Sequence, residues 1–148
     1  MEPKLSILKK LTFEILEDMC FLLETAPEIS RQDFESPRSI KIECGQEYVV
    51  IVTVDENLSV TIAENLMGIP AKKLNRELVQ SAVQEVTNMI GGNFMNQMEM
   101  ATDAKLSIPA PITDGDMEQY LKPENAVNST TLYINNYPLD LTIIEQRK

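Results

Sequence analysis

The sequence predicts an α+β fold in which two long helices pack on an antiparallel sheet of about six strands. Three observations lead there. Two stretches, near residues 3–24 and 75–100, repeat apolar side chains at three- and four-residue intervals. Several shorter runs alternate apolar with polar residues or are almost wholly β-branched. Gly, Pro, Asn and Asp separate those runs. The order is helix, three strands, helix, three strands, a weak pseudo-twofold repeat read as one domain over residues 1–148.

The first helix spans roughly Pro3 to Glu24, with Leu5, Leu8, Ile15, Leu16, Met19, Leu22 and Leu23 on its apolar side. Pro3 suits a first helical position, where its missing N–H has no intrahelical partner, and Pro27 helps to end the helix. Thr25 to Pro37 reads as a loop. Ile40, Ile42 and Cys44 alternate with Lys41 and Glu43, a half-buried strand. Gly45-Gln46 supplies a turn into Tyr48–Val54, apolar enough for a central strand. Asp55-Glu56-Asn57 then turns the chain into a third strand carrying Leu58, Val60 and Ile62. Glu64–Met67 makes a short helix stopped by Gly68 and Pro70. The second long helix opens at Asn75, a natural N-cap, and runs to about Met100. Lys105–Pro109 is a short strand, and Ala110 to Asn128 a loop. Thr131–Ile134 and Leu139–Ile144 close the sheet around Asn135-Asn136-Tyr137-Pro138.

Composition excludes several function classes. Thirteen Lys and Arg stand against 23 Asp and Glu, a formal charge of −10. An acidic chain lacks the basic footprint that nucleic acid or an anionic membrane surface requires. The chain has no His, which removes imidazole bases, His-dependent triads and most transition-metal sites. Two cysteines make neither a disulfide framework nor a Cys-rich zinc site. No apolar run reaches membrane-spanning length and no signal peptide opens the chain, so the expected location is cytoplasmic.

The informative segment is Ser81-Ala-Val-Gln-Glu85-Val-Thr-Asn88-Met-Ile-Gly-Gly92-Asn93. On a helix, Leu78, Ala82, Val86, Met89 and Ile90 share a broad apolar side. Ser81, Glu85, Asn88 and Gly92, at steps of four, three and four, form a narrow ridge turned away from it. Gly91 and Gly92 continue that ridge, and each costs roughly 1 kcal/mol against Ala inside a helix. They are read either as a bend or packing contact, or as room for another backbone to approach. Taken by spacing alone, a Glu and an Asn three residues apart on an exposed helix face are usually just solvated.

These residues resemble the signature of the CheC/CheX/FliY family of chemotaxis phosphatases: Asp or Ser, three residues, Glu, two residues, Asn, 22 residues, Pro. Here the positions are Ser81, Glu85, Asn88 and Pro111, and Gly92-Asn93 resembles a pair that often follows the motif. In the first helix Glu17 is followed three residues later by Cys20, not Asn, so that helix offers no second site. One motif on the second helix resembles the single-site CheX branch, whose members form homodimers through sheet edges.

The resemblance implies a substrate and roles. The substrate would be the aspartyl phosphate of a CheY-like response-regulator receiver domain, which carries its own Mg2+ and Lys. No cofactor or metal belonging to this chain is implied. Asn88 would orient the attacking water and Glu85 would pair with the receiver Lys. A general-base role for Glu85 is the weaker reading, because a loose transition state needs little base assistance. Ser81 and Gly92 would lie under the docked receiver, with Pro111 structural. The alternative from another class is a non-catalytic receiver-binding or flagellar-switch-type adaptor.

Overall fold

The computed structural model describes residues 1–147. Its elements are α1 (Pro3–Cys20), β1 (Arg38–Cys44), β2 (Tyr48–Val54), α2 (Glu56–Met67), α3 (Arg76–Gln97), β3 (Ala110–Pro111), α4 (Asp114–Tyr120), β4 (Ala126–Ile134) and β5 (Tyr137–Glu145). The sheet is antiparallel in the order β3-β1-β2-β5-β4. Four helices on five strands replace the expected two long helices on about six.

Two differences account for the strand count. Asp55 does not turn the chain into a strand; it caps α2. Its carboxylate accepts from the backbone N–H of Asn57 at 2.9 Å and of Glu35 at 2.6 Å. Leu58, Ser59, Ile62 and Ala63 are then buried with helical spacing. Lys105–Pro109 is extended but forms only an isolated bridge, Leu106 to Cys44, before the short β3. The presumed loop after residue 110 holds β3, α4 and the start of β4, and the loop from Thr25 to Pro37 contains one 3-10 turn at Pro27–Ile29.

The helix ends are set by caps. Glu2 accepts from the N–H groups of Lys4 and Leu5, with Pro3 at the first helical position. Phe21 takes the left-handed conformation at φ 56° and ends α1 three residues before Glu24. Leu23, beyond the helix, faces solvent, and Met19, within it, lies on the exposed side instead of in the core. Asn75 caps α3 through Leu78 N–H at 2.8 Å, as the sequence suggested, and α3 ends at Gln97 with Met98 as its cap.

The core lies between α1, α2, α3 and one face of the sheet. Leu8, Leu16, Ile42, Val50, Val52, Leu58, Ile62, Ile90, Phe94 and Leu141 are fully enclosed. Cys20 and Cys44 are buried in it, which raises both thiols, Cys20 to about 11 and Cys44 to about 12. Met95 and Met98 pack against the same core and are gap fillers. The opposite sheet face is partly covered by α4, whose Tyr120 and Met117 pack with Val49, Ile51 and Ile144. Lys41 in β1 ties α4 down through Asp116 at 2.8 Å. No helix among the described residues is long and apolar enough to cross a membrane.

Candidate functional site

The second long helix carries the ridge. On α3 the residues Val79, Ala82, Val83, Val86, Thr87, Ile90, Gly91 and Phe94 are buried. This inward face is rotated slightly from the expected one, leaving Leu78 and Met89 half-buried. Thr87 is accommodated because its hydroxyl donates to the Val83 carbonyl at 2.8 Å. Ser81 and Glu85 are exposed, and Asn88 and Gly92 are half-buried. A three-residue step advances about 4.5 Å along the axis, so the carboxylate and the amide stand side by side.

A groove runs along this ridge. Ser81, Gln84, Glu85 and Asn88 form one wall and Leu106, Ser107, Ile108 and Pro109 the other, enclosing about 470 Å³. The second wall is held by backbone contacts to β1. Gly45 N–H donates to Lys105 O at 2.8 Å, and Ser107 N–H to Glu43 O at 2.9 Å. Glu43 N–H returns a bond to Ser107 Oγ at 2.8 Å. The Gln84 side chain bridges the two walls, donating from Nε2 to the Pro109 carbonyl at 3.1 Å. The 106–109 wall and Gln84 were not singled out from the sequence; the fixed interval between Asn88 and Pro111, which spans that wall, was the available signal.

The side chains of Glu85 and Asn88 make no hydrogen bond or ion pair with another described residue. Other charged side chains near the sheet are paired, such as Lys41 with Asp116 and, through one guanidinium nitrogen, Arg38 with Glu56. An open carboxylate and an open amide on a rigid helix offer one negative charge, one acceptor and two donors to an incoming surface.

The glycines divide differently from the expectation. Gly91 is not on the ridge. It is buried, and a Cβ there would meet Ile42 Cδ1 and Leu106 Cδ1 at 3.0 Å. Gly92 is the open one, with Leu106 Cδ2 at 3.8 Å from a built Cβ. Neither ends the helix, which continues to Gln97. Pro111 pairs with Ile40 in β3, an edge strand where its missing N–H costs no ladder bond, and does not line the groove.

The family model for the chemotaxis phosphatase CheX matches residues 40–131, more than half of the chain and a span that includes positions 81, 85, 88 and 111. The chain belongs to the CheX family of chemotaxis phosphatases. No curated protein matches it in sequence. Solved structures share its fold at low identity. Chemotaxis protein CheX from Vibrio vulnificus superposes with a TM-score of 0.68 at 19% identity, over 97% of both chains. CheX in the CheX–CheY complex with BeF3 and Mg2+ from Borrelia burgdorferi gives 0.61 at 16%, over 100% of both. FliY from Thermotoga maritima gives 0.55 at 16%, over 99% of this chain and 91% of that one. Coverage of nearly the whole length makes the CheX fold a property of the entire chain, with the ridge of α3 inside the matched region.

Proposed function

We propose that this chain hydrolyses the aspartyl phosphate of a CheY-like receiver domain, with Asn88 and Glu85 inserted into the receiver's active cleft. The observation that carries the reading is the open Glu85–Asn88 pair on an outward ridge of α3, in a chain of the CheX phosphatase family. An acyl phosphate is already activated, and the receiver supplies Mg2+ and a Lys as part of the substrate. The missing part is an aligned water. Phosphoryl transfer passes through a loose transition state, so positioning dominates.

Asn88 suits that task. Its amide donates and accepts at once, so it can hold a water in line with phosphorus. Glu85, more exposed and one turn earlier, pairs with the receiver Lys and sets the depth of insertion. A desolvated carboxylate–ammonium pair gives register more surely than net affinity. Ser81 and Gly92 are small and lie under the docked receiver.

The chain acts in the cytoplasm and pairs as a homodimer in this reading. The edge available for pairing is β4 over residues 126–132, with Val127, Asn128, Ser129 and Thr131 exposed; its last residues are already paired with the 23–25 segment, and β3 at the other edge has two residues.

Phosphate loss from a phosphorylated receiver, followed with and without the chain, tests the reading. The parent accelerates it. Asn88→Ala removes roughly 100-fold of the acceleration with association retained, and Glu85→Ala chiefly weakens association. Binding without acceleration by the parent would establish an adaptor instead. The reverse division between the two variants would overturn the assigned roles.

A further inference from the structure

Ile108 is the feature of the groove that the catalytic reading leaves unused. It is 87% exposed, more than Phe21 at 78% or Ile29 at 72%, and it lines the groove opposite Glu85 and Asn88. An aliphatic side chain so exposed is uninformative when it rides on a free loop. Here the backbone on both sides is fixed. Ser107 exchanges two bonds with Glu43, Leu106 is bridged to Cys44, and the Pro109 carbonyl is held by Gln84. Leu106 packs down against the Gly91–Gly92 turn of α3. Ile108 therefore projects from a braced rim, with its backbone cost of ordering already met in the free protein.

We infer that Ile108 is an apolar anchor that recognises the receiver, seating in a non-polar depression beside the receiver's phosphorylated cleft while Glu85 and Asn88 enter the cleft itself. This inference rests on the proposed function for its partner. The occupant is assigned to the receiver because Ile108 lines the same groove as Glu85 and Asn88, so the rim is continuous with the ridge that the receiver would contact. The arrangement also answers an electrostatic difficulty. The chain carries a net charge of −10 and gains no long-range attraction to an acidic partner. Buried apolar contact at a braced rim supplies affinity that does not depend on charge sign.

The test compares Ile108→Ala, Ile108→Asp and Ile108→Leu with the parent for association with a beryllofluoride-loaded receiver and for turnover of the phosphorylated one. Ile108→Ala is expected to weaken association and raise KM roughly tenfold, with kcat within about twofold. Ile108→Asp weakens it further, and Ile108→Leu stays near the parent. Unchanged association for Ile108→Ala and Ile108→Asp overturns the anchor. So does a fall in kcat alone, or a change confined to the chain's own dimer equilibrium. Because association is measured without hydrolysis, the anchor is judged separately from catalysis: if Asn88→Ala has no effect on turnover, the catalytic reading fails whatever Ile108 does.

Discussion

Replacing Gly92 by Ala should make the protein more stable and a worse partner. Inside a helix Ala is favoured over Gly by about 1 kcal/mol, partly through the unfolded chain. The added methyl would lie 3.8 Å from Leu106 Cδ2, an ordinary contact, so no steric cost offsets the gain. For a chain of this size 1 kcal/mol corresponds to roughly 2–4 °C in Tm. The methyl also stands out from the ridge one turn beyond Asn88, where the docked receiver would approach, and association should fall about tenfold. Thermal unfolding followed by circular dichroism and titration with beryllofluoride-loaded receiver measure the two quantities. Gly91→Ala is the control, and its sign is opposite. Its Cβ would press on Ile42 Cδ1 and Leu106 Cδ1 at 3.0 Å, and Ile42 is fully buried. Overpacking of that kind costs about 1–3 kcal/mol, enough to cancel or exceed the helical gain. A lower Tm for Gly92→Ala would show that the glycine serves internal packing. A higher Tm with unchanged association would take Gly92 off the docking surface.

Two further predictions concern groups away from the ridge. Burial raises Cys44 to about 12 and Cys20 to about 11, and only thiolates alkylate readily; labelling by iodoacetamide at pH 8 should be slow in the native protein and fast in denaturant, and rapid native labelling would refute the enclosed core. Asp116 is held below the ordinary carboxylate range, first by the Lys41 hydrogen bond and then by Thr113 N–H, while the same bond raises Lys41. The Asp116 contribution is complete above the ordinary carboxylate pKa of about 4 and is lost as pH falls through the lowered value. The Lys41 contribution is complete below about 10.4 and is lost as pH rises through the raised one. Hydrogen exchange should therefore show α4 protected between those limits and released first in acid, and Asp116→Asn should cost about 1 kcal/mol and loosen α4 at neutral pH. Protection of α4 that is unchanged in the variant would refute the tie.

The parts of the fold that were legible from sequence are those specified by local chemistry. Asn75 and the three-four spacing beyond it define α3, and the steps of four, three and four place Ser81, Glu85, Asn88 and Gly92 on one ridge without any tertiary information. What misled was ambiguity between periods. Leu58, Val60 and Ile62 alternate as a strand would, yet Leu58 and Ile62 are also one helical turn apart, and the Asp55 cap decides for the helix. The start of α4 was readable in Thr113 and Asp116, which form a reciprocal capping box, but the helix is too short to show a periodic face. Gly91 and Gly92 could not be told apart, because a rotation of α3 by a fraction of a turn exchanges which of them meets Ile42. The 106–109 wall depends on pairing with β1, some 60 residues away in sequence, and non-local pairing leaves no local pattern.

The two margins of the sheet are unequal, and this limits how copies can add to it. One margin is a two-residue strand that includes Pro111; the other is β4, open over residues 126–132 and covered beyond that by residues 23–25, where Glu24 bridges Ile134. A sheet with two long open margins can be extended head to tail without end, the geometry of filaments. With a single long margin, each copy has only that surface to offer, and joining it to its own equivalent uses up both. Growth of the sheet by strand addition, if copies join in that way, would therefore terminate at a closed pair related by a twofold axis.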